Sequence, residues 1–228
     1  MKTGIIPLDA LDREEALRYI GVKDGNPDDI TKERLDECEK IILDNAVGRY
    51  LYEIHDITPS EEGIVVGNTT FVLTGNSIRE HLAGCSKAVL LCATISSEVD
   101  RIIRVTQLKD IHKALLLDSF ASVAIEQLCD KVEERIIEEN EGMNFTWRFG
   151  IGYGDLDIKL QKEFLNVCGA PKKIGLCTSE TCMLTPIKSV TAVIGMSKEE
   201  IPKRLKGCMT CNLKGKCAYS KKGGHCNG

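Results

Sequence analysis

The stretch Trp147-Arg148-Phe149-Gly150-Ile151-Gly152-Tyr153-Gly154-Asp155-Leu156-Asp157 carries three glycines in alternation, and its reading decides between two fold classes. A glycine turn of a doubly wound, dinucleotide-binding sheet follows a buried apolar strand and opens a helix. It also has an acidic residue about 20 positions on, at the end of the next strand. Those demands fail here. The preceding residues, IIEENEGMNFT, are an acidic helix end and a loop. The third glycine of G-x-G-x-x-G would fall at Asp155, and the strand starting near position 174 ends without an acid.

Outward from that stretch, the order of elements is mixed. DDITKERLDECEKIILDNAVGRYLYEI (28–54) reads as one long helix, with Leu35, Cys38, Ile41, Ile42 and Ala46 at helical spacing. EGIVVGNTTFVLTGNS (62–77) reads as two short strands around a Gly67-Asn68 turn. Ser77 and Glu80 form a capping box that opens a short helix, and KAVLLCATI (87–95) is a buried strand. From about Glu98 to Asn140 the pattern predicts two helices joined near Gln107 to Asp110. Leu117, Ala121, Ala124, Leu128 and Val132 form the core stripe of the second.

Another face of that helix carries Asp118, Ser122 and Glu126, with Ser119 and Cys129 beside them. Small polar residues topped by a carboxylate leave room there for something other than a side chain, or form a plain solvated face. DIKLQKEFLNVCG (157–169) is a helix stopped by Gly169, KIGLCT and SVTAVIGM are strands, and Ser197 with Glu200 opens a last short helix. Without a regular βαβ alternation, the class is α+β.

The glycine stretch has two readings left: a flexible loop, or a backbone folded closely over a small ligand. Arg148 presents a planar fork suited to a carboxylate, and Tyr153 a flat face or hydroxyl. With exposed backbone groups for a base and an acid such as Glu126 for an ammonium, these chemistries suit an amino acid joined to a nucleoside. S-adenosylmethionine (SAM) is such a molecule.

In their order, these residues resemble the activation (reactivation) domain of cobalamin-dependent methionine synthase. That family's R-x-x-x-G-Y reads here Arg148 to Tyr153, followed by a helix and a strand. Its T-E-S-x-M-x-x-P-x-x-S-V segment is met at Thr178, Glu180, Met183, Pro186, Ser189 and Val190, with a slight shift at Ser179-Glu180. ASVAIEQLCDKVEE is similar to the family's acid-bearing helix. The resemblance is clear over roughly residues 110 to 196 and extends back to about 60.

The resemblance implies a C-shaped α+β fold with a twisted antiparallel sheet flanked by long helices. It implies that Arg148 holds the SAM carboxylate, that the backbone of Phe149, Gly150, Gly152 and Tyr153 contacts adenine and ribose, and that Glu126 lies near the amino group. The implied function is reductive remethylation of cob(II)alamin with SAM and an electron from a flavodoxin- or ferredoxin-type donor. Such a methyl transfer needs no general base, so no catalytic residue is assigned. His55, His81 and His112 then read as surface or satisfied histidines. The chain has no D-x-H-x-x-G corrinoid segment and no zinc-thiolate module, so it would act in trans on a separate corrinoid-binding methionine synthase or related protein. It also departs from the family: Gly154-Asp155-Leu156-Asp157 replaces P-A-C-P, and GMSKEEIPKR stands where an aromatic pair follows the last strand.

Four of the eleven cysteines lie in the last 21 residues, Cys208, Cys211, Cys217 and Cys226, spaced C-x2-C-x5-C-x8-C. That set suits Zn²⁺ or an Fe–S cluster. Redox-active thiols and disulfides are the alternatives. Seven Lys or Arg and no acid follow position 202, a field that favours thiolates and would dock an acidic partner. The alternative function is therefore a non-catalytic corrinoid-protein interaction or redox-sensing module.

The expected domains are a helical segment 1–58, a SAM-binding core 59–205 and the basic cysteine tail 206–228. With 228 residues, 43% hydrophobic and 28% charged, the composition is that of an ordinary globular protein. A net charge of −4 argues against nucleic acid as partner. No run of about 18 apolar residues exists to span a membrane, and an acidic N-terminus argues against an export signal, so a cytoplasmic location is expected.

Overall fold

The structure is a computed structural model that describes residues 1–22 and 26–201. Two compact units interleave along the chain. Among the described residues, the first takes 1–22, 26–53, 91–141 and 165–191; the second takes 54–90, 142–164 and 192–201.

In the first unit, β1 (Lys2–Ile6) pairs antiparallel with the start of β2 (Gly48–Pro59). Helix α1 (Arg13–Tyr19) is capped by Asp12, whose carboxylate accepts from Glu15 N, and α2 (Asp29–Asn45) by Asp28 accepting from Thr31 N. The expected continuation of α2 to Ile54 does not occur. Asn45 turns its side chain back onto the Ile41 carbonyl at 2.8 Å, and Gly48 begins a strand. A Cβ at Gly48 would lie 2.6 Å from the Ile6 carbonyl oxygen, so glycine allows the two backbones to meet. Residues 1–58 thus hold two helices, one strand and most of another.

The late helices match their reading. Helix α4 (Ser97–Gln107) and α5 (Ile111–Glu138) are separate, and Asp110 caps the second by accepting from Lys113 N. Leu117, Ala121, Ala124, Leu128 and Val132 are all fully buried where α5 packs against α1, α2 and α4. At 28 residues α5 is about 42 Å long. Glu39 is the buried acid of this unit. It accepts from Leu11 N and ion-pairs with Arg13 at 2.5 Å, so the charge is compensated.

The second unit holds β3 (Ile64–Val66), β4 (Val72–Leu73), α3 (Asn76–His81), β6 (Asn144–Phe145) and β7 (Phe149–Gly150). Its core includes Phe71, edge-on to Phe164 at 6.1 Å, with Val66, Leu73 and Ile78 fully buried. Strand β5 (Lys87–Thr94), helix α6 (Gln161–Cys168) and β10 (Ser189–Ser197) each run from one unit into the other, as β2 does. Gly169 ends α6 at φ +65° and precedes a single turn, α7 (Ala170–Lys173).

The strand order is β4-β3-β2-β5-β10-β6, with β1 also on β2 and β7 on β10. A separate hairpin joins β8 (Cys177–Thr178) to β9 (Leu184–Thr185). The pairings of β1 with β2, β3 with β2 and β4, and β10 with β6 and β7 are antiparallel. The class is α+β, an antiparallel sheet with helices, as expected. The short helix expected from Ser197 is not formed among the described residues: Ser197 ends β10, and its hydroxyl accepts from Glu199 N.

Candidate functional site

The glycine stretch lies wholly in the second unit. Two short strands set its start: Phe145 pairs with Met196, and Phe149 and Gly150 pair with Val193 and Ala192. Between them, Thr146 N donates to the Gly195 carbonyl at 3.0 Å, and Gly195 N returns a bond to Thr146 Oγ1 at 2.7 Å. After β7 the chain turns twice, Tyr153 N bonding to the Gly150 carbonyl and Leu156 N to the Tyr153 carbonyl, each at 3.1 Å.

The three glycines do different things. Gly150 is a strand residue, while Gly152 (φ +90°) and Gly154 (φ +60°) sit in left-handed turns. A Cβ on Gly152 would come within 2.7 Å of Ile158 Cδ1, and one on Gly154 within 2.6 Å of Ser77 Oγ. The bare α-carbons of both therefore serve close packing against the protein's own side chains.

Arg148 is half-buried, and of its two aromatic neighbours in sequence Trp147 is half-buried and Phe149 buried. The Trp147 and Phe149 centroids are 5.4 Å apart, and Tyr153 stands edge-on to both, at 5.8 and 5.3 Å. Buried His81 completes the group, 4.7 Å from Trp147 and 4.9 Å from Phe149. Its Nε2 lies 2.7 Å from Thr146 Oγ1. Among the expected satisfied histidines, His81 is the one set directly against the candidate site.

Ser77 and Glu80 do not form the expected capping box. The N-cap of α3 is Gly75 at φ +119°, which contributes no side chain. Asp155 supplies the cap from across the unit, accepting from Asn76 N and Ser77 N at 2.8 Å each. Burial pushes the Asp155 carboxyl upward, but the bonds from Ser77 and Asn76 outweigh it, and the group titrates below the usual aspartate value.

Glu126 belongs to the first unit, exposed on α5. Tyr19 feels its charge: burial first, then Glu15, then Glu126 hold that phenol up at about 12. The remainder of the polar α5 face is not open space. Lys188, only 12% exposed, places its ammonium 2.8 Å from the Asp118 carboxylate and 2.8 Å from Ser122 Oγ. The room expected at Asp118 and Ser122 is filled by this lysine, because β10 is entered by a residue long enough to reach them. In the same segment Ser189 bonds to Thr94 and Pro186, while Glu180 and Met183 are exposed on the hairpin turn.

Cys92 and Cys168 hydrogen-bond in the core of the first unit, which with burial raises the Cys92 thiol well above its usual value. Cys208, Cys211, Cys217 and Cys226 lie outside the described residues. Among the described residues no group of three or more His, Cys, Asp or Glu is placed to hold a metal ion. None of the described helices is long and apolar enough to cross a membrane.

No family model matches the sequence, and no curated protein matches it. Among solved structures the chain is similar to the MetH reactivation domain bound to AdoHcy. The TM-score is 0.65 at 12% identity, over 89% of this chain and 80% of that one. At that identity the likeness is one of fold, and the fold of this chain is that of the MetH reactivation domain.

Proposed function

We propose that the chain binds SAM and its demethylated product AdoHcy through the Arg148–Tyr153 segment. In this reading it supports reductive remethylation of cob(II)alamin on a separate corrinoid methyltransferase such as methionine synthase. The observation that carries the reading is the fold likeness to a domain crystallised with AdoHcy. The donor set fits the ligand. Arg148 offers the planar fork that a free α-carboxylate takes in two parallel bonds. Tyr153 and the backbone from Phe149 to Gly152 supply a ring edge, a hydroxyl and amide groups for a nucleoside. Residues 59–205 are the SAM-binding core in this reading, with 1–58 and the cysteine tail 206–228 as additions.

SAM supplies an electrophilic methyl on a sulfonium and leaves as a neutral thioether, and the partner's cobalamin supplies the reduced metal that takes it. One electron, from a flavodoxin- or ferredoxin-type donor, accounts for the change from Co(II). What this chain contributes is placement: a fixed carboxylate anchor and an oriented adenosyl group. The tail cysteines are read as a Zn or Fe–S site on the same chain, checked by metal analysis of anaerobically purified protein.

Calorimetric titration with SAM and with AdoHcy is the test. Arg148→Ala is expected to weaken both by roughly 10- to 100-fold, the loss of a charge-assisted pair. No binding by the unaltered protein, or binding indifferent to Arg148→Ala, defeats the reading. Methyl-corrinoid formation from a cob(II)alamin-loaded methyltransferase, SAM and a reductant then tests the transfer itself.

A further inference from the structure

We propose that α3 is a splint for the 146–157 segment, and that His81 and Asp155 are the positioning residues that fasten its two ends. The ligand part of this inference rests on the proposed function; the splint itself does not.

At one end, both Asp155 carboxylate oxygens are engaged by consecutive backbone N–H groups, Asn76 and Ser77, 2.8 Å each. These are orphan donors of a helix N-terminus, and a carboxylate is the acceptor best suited to them. Two glycines make the approach feasible. A Cβ on Gly75 would stand 2.7 Å from Asp155 Oδ1 and 2.9 Å from the Asp155 carbonyl, and a Cβ on Gly154 would strike Ser77. Neither α3 nor the turn can accept a side chain where they touch.

At the other end, Thr146 Oγ1 accepts from Gly195 N at 2.7 Å and lies 2.7 Å from His81 Nε2, so one hydroxyl joins α3 to the residue before Trp147. The His81 ring itself packs against Trp147 and Phe149.

Six residues of helix span about 9 Å. Over that length α3 ties the segment before Arg148 to the segment after Tyr153. The backbone on both sides of Arg148 is thus held: Trp147 and Phe149 lean on His81, and Tyr153 leans on Trp147 and Phe149. A segment fixed before the ligand arrives loses less freedom on binding.

Trp147 is the only tryptophan in the chain, so its fluorescence reports this segment alone. Acrylamide quenching and AdoHcy titration are run on the full chain and on Asp155→Ala, Asp155→Asn, Asn76→Pro and His81→Ala. Asp155→Ala is expected to raise the quenching constant about twofold, as a loosened segment admits quencher. It should weaken AdoHcy about tenfold through lost pre-organisation. Asn76→Pro keeps the Asp155 charge and a helix-compatible first residue while deleting one N–H, and should fall in between. Asp155→Asn keeps one acceptor oxygen but turns an NH2 toward the other N–H, and should also fall in between. His81→Ala should shift the Trp147 emission.

Unchanged Trp147 quenching in folded Asp155→Ala or Asn76→Pro overturns the splint, whatever the ligand does. Looser Trp147 with unaltered AdoHcy affinity overturns the positioning role. If the unaltered protein gives no binding heat, the proposed function falls, and quenching alone still decides the splint.

Discussion

The polar face of α5 and the turn from Trp147 to Asp157 both look like ligand surfaces from residue types, and the structure treats them differently. On α5, Asp118 and Ser122 receive an internal cation, Lys188, from the residue just before β10, remote in sequence. In the turn, the internal contacts go to the glycines, the rings and Asp155, and they fix the backbone on either side of Arg148. A cluster of polar residues says which charge is welcome, not whether the protein has already supplied it. Left-handed glycines and a remote cap say where the backbone has been fixed.

The comparison breaks most easily at Gly154. Gly154→Ala puts a Cβ into Ser77 and an alanine at φ +60°, and the strain and clash together should cost about 3 kcal/mol. At about 2–4 °C per kcal/mol, thermal unfolding would register a large drop. Thr146→Val comes next. It keeps the shape but strips Gly195 N of its acceptor and His81 Nε2 of its hydroxyl partner, at about 2 kcal/mol, and the Trp147 emission should move with it.

On the α5 side, Lys188→Met should cost only about 1 kcal/mol, because the half-exposed Asp118 rehydrates instead of staying buried and unpaired. A loss above that of Thr146→Val would mean that the α5 pair, not the turn, is the stiffer region.

The smallest effect is in pH. The folded-state pKa of Asp155 lies below its unfolded value, about 3.9, so its contribution is present above that value. It is lost as pH falls through the folded pKa. Melting curves between pH 6 and 3 should show the unaltered protein losing more stability than Asp155→Asn, and parallel curves would remove Asp155 as a charged cap.

Much of the first unit was legible because periodicity is local. The α5 stripe and the break from α4 both follow from residues within a few positions of one another. What misled was β2. Its Arg49-Tyr50-Leu51-Tyr52 run continues an apolar pattern after α2, and pairing with strands remote in sequence, β1 more than forty residues before it and β5 after it, makes it a strand. The same distance hid the site's supports. Ser77 and Glu80 had the spacing of a capping box, yet an aspartate 78 residues beyond Ser77 does the capping. The R-x-x-x-G-Y motif was visible as a resemblance, while His81 and Thr146 had no signal beyond their residue types. Lys188 lay inside a segment quoted for its other residues, and nothing in its neighbours announced that it reaches α5.

The interleaving of the units has a practical corollary for anyone cutting the gene. The chain passes between them five times, at 53/54, 90/91, 141/142, 164/165 and 191/192, and three of those points fall inside the strands β2, β5 and β10. Neither unit is a single contiguous stretch: a fragment that holds 54–90, 142–164 and 192–201 must also carry 91–141 and 165–191 of the first unit. The shortest piece worth expressing to study the Arg148 turn therefore includes a large part of the first unit as well.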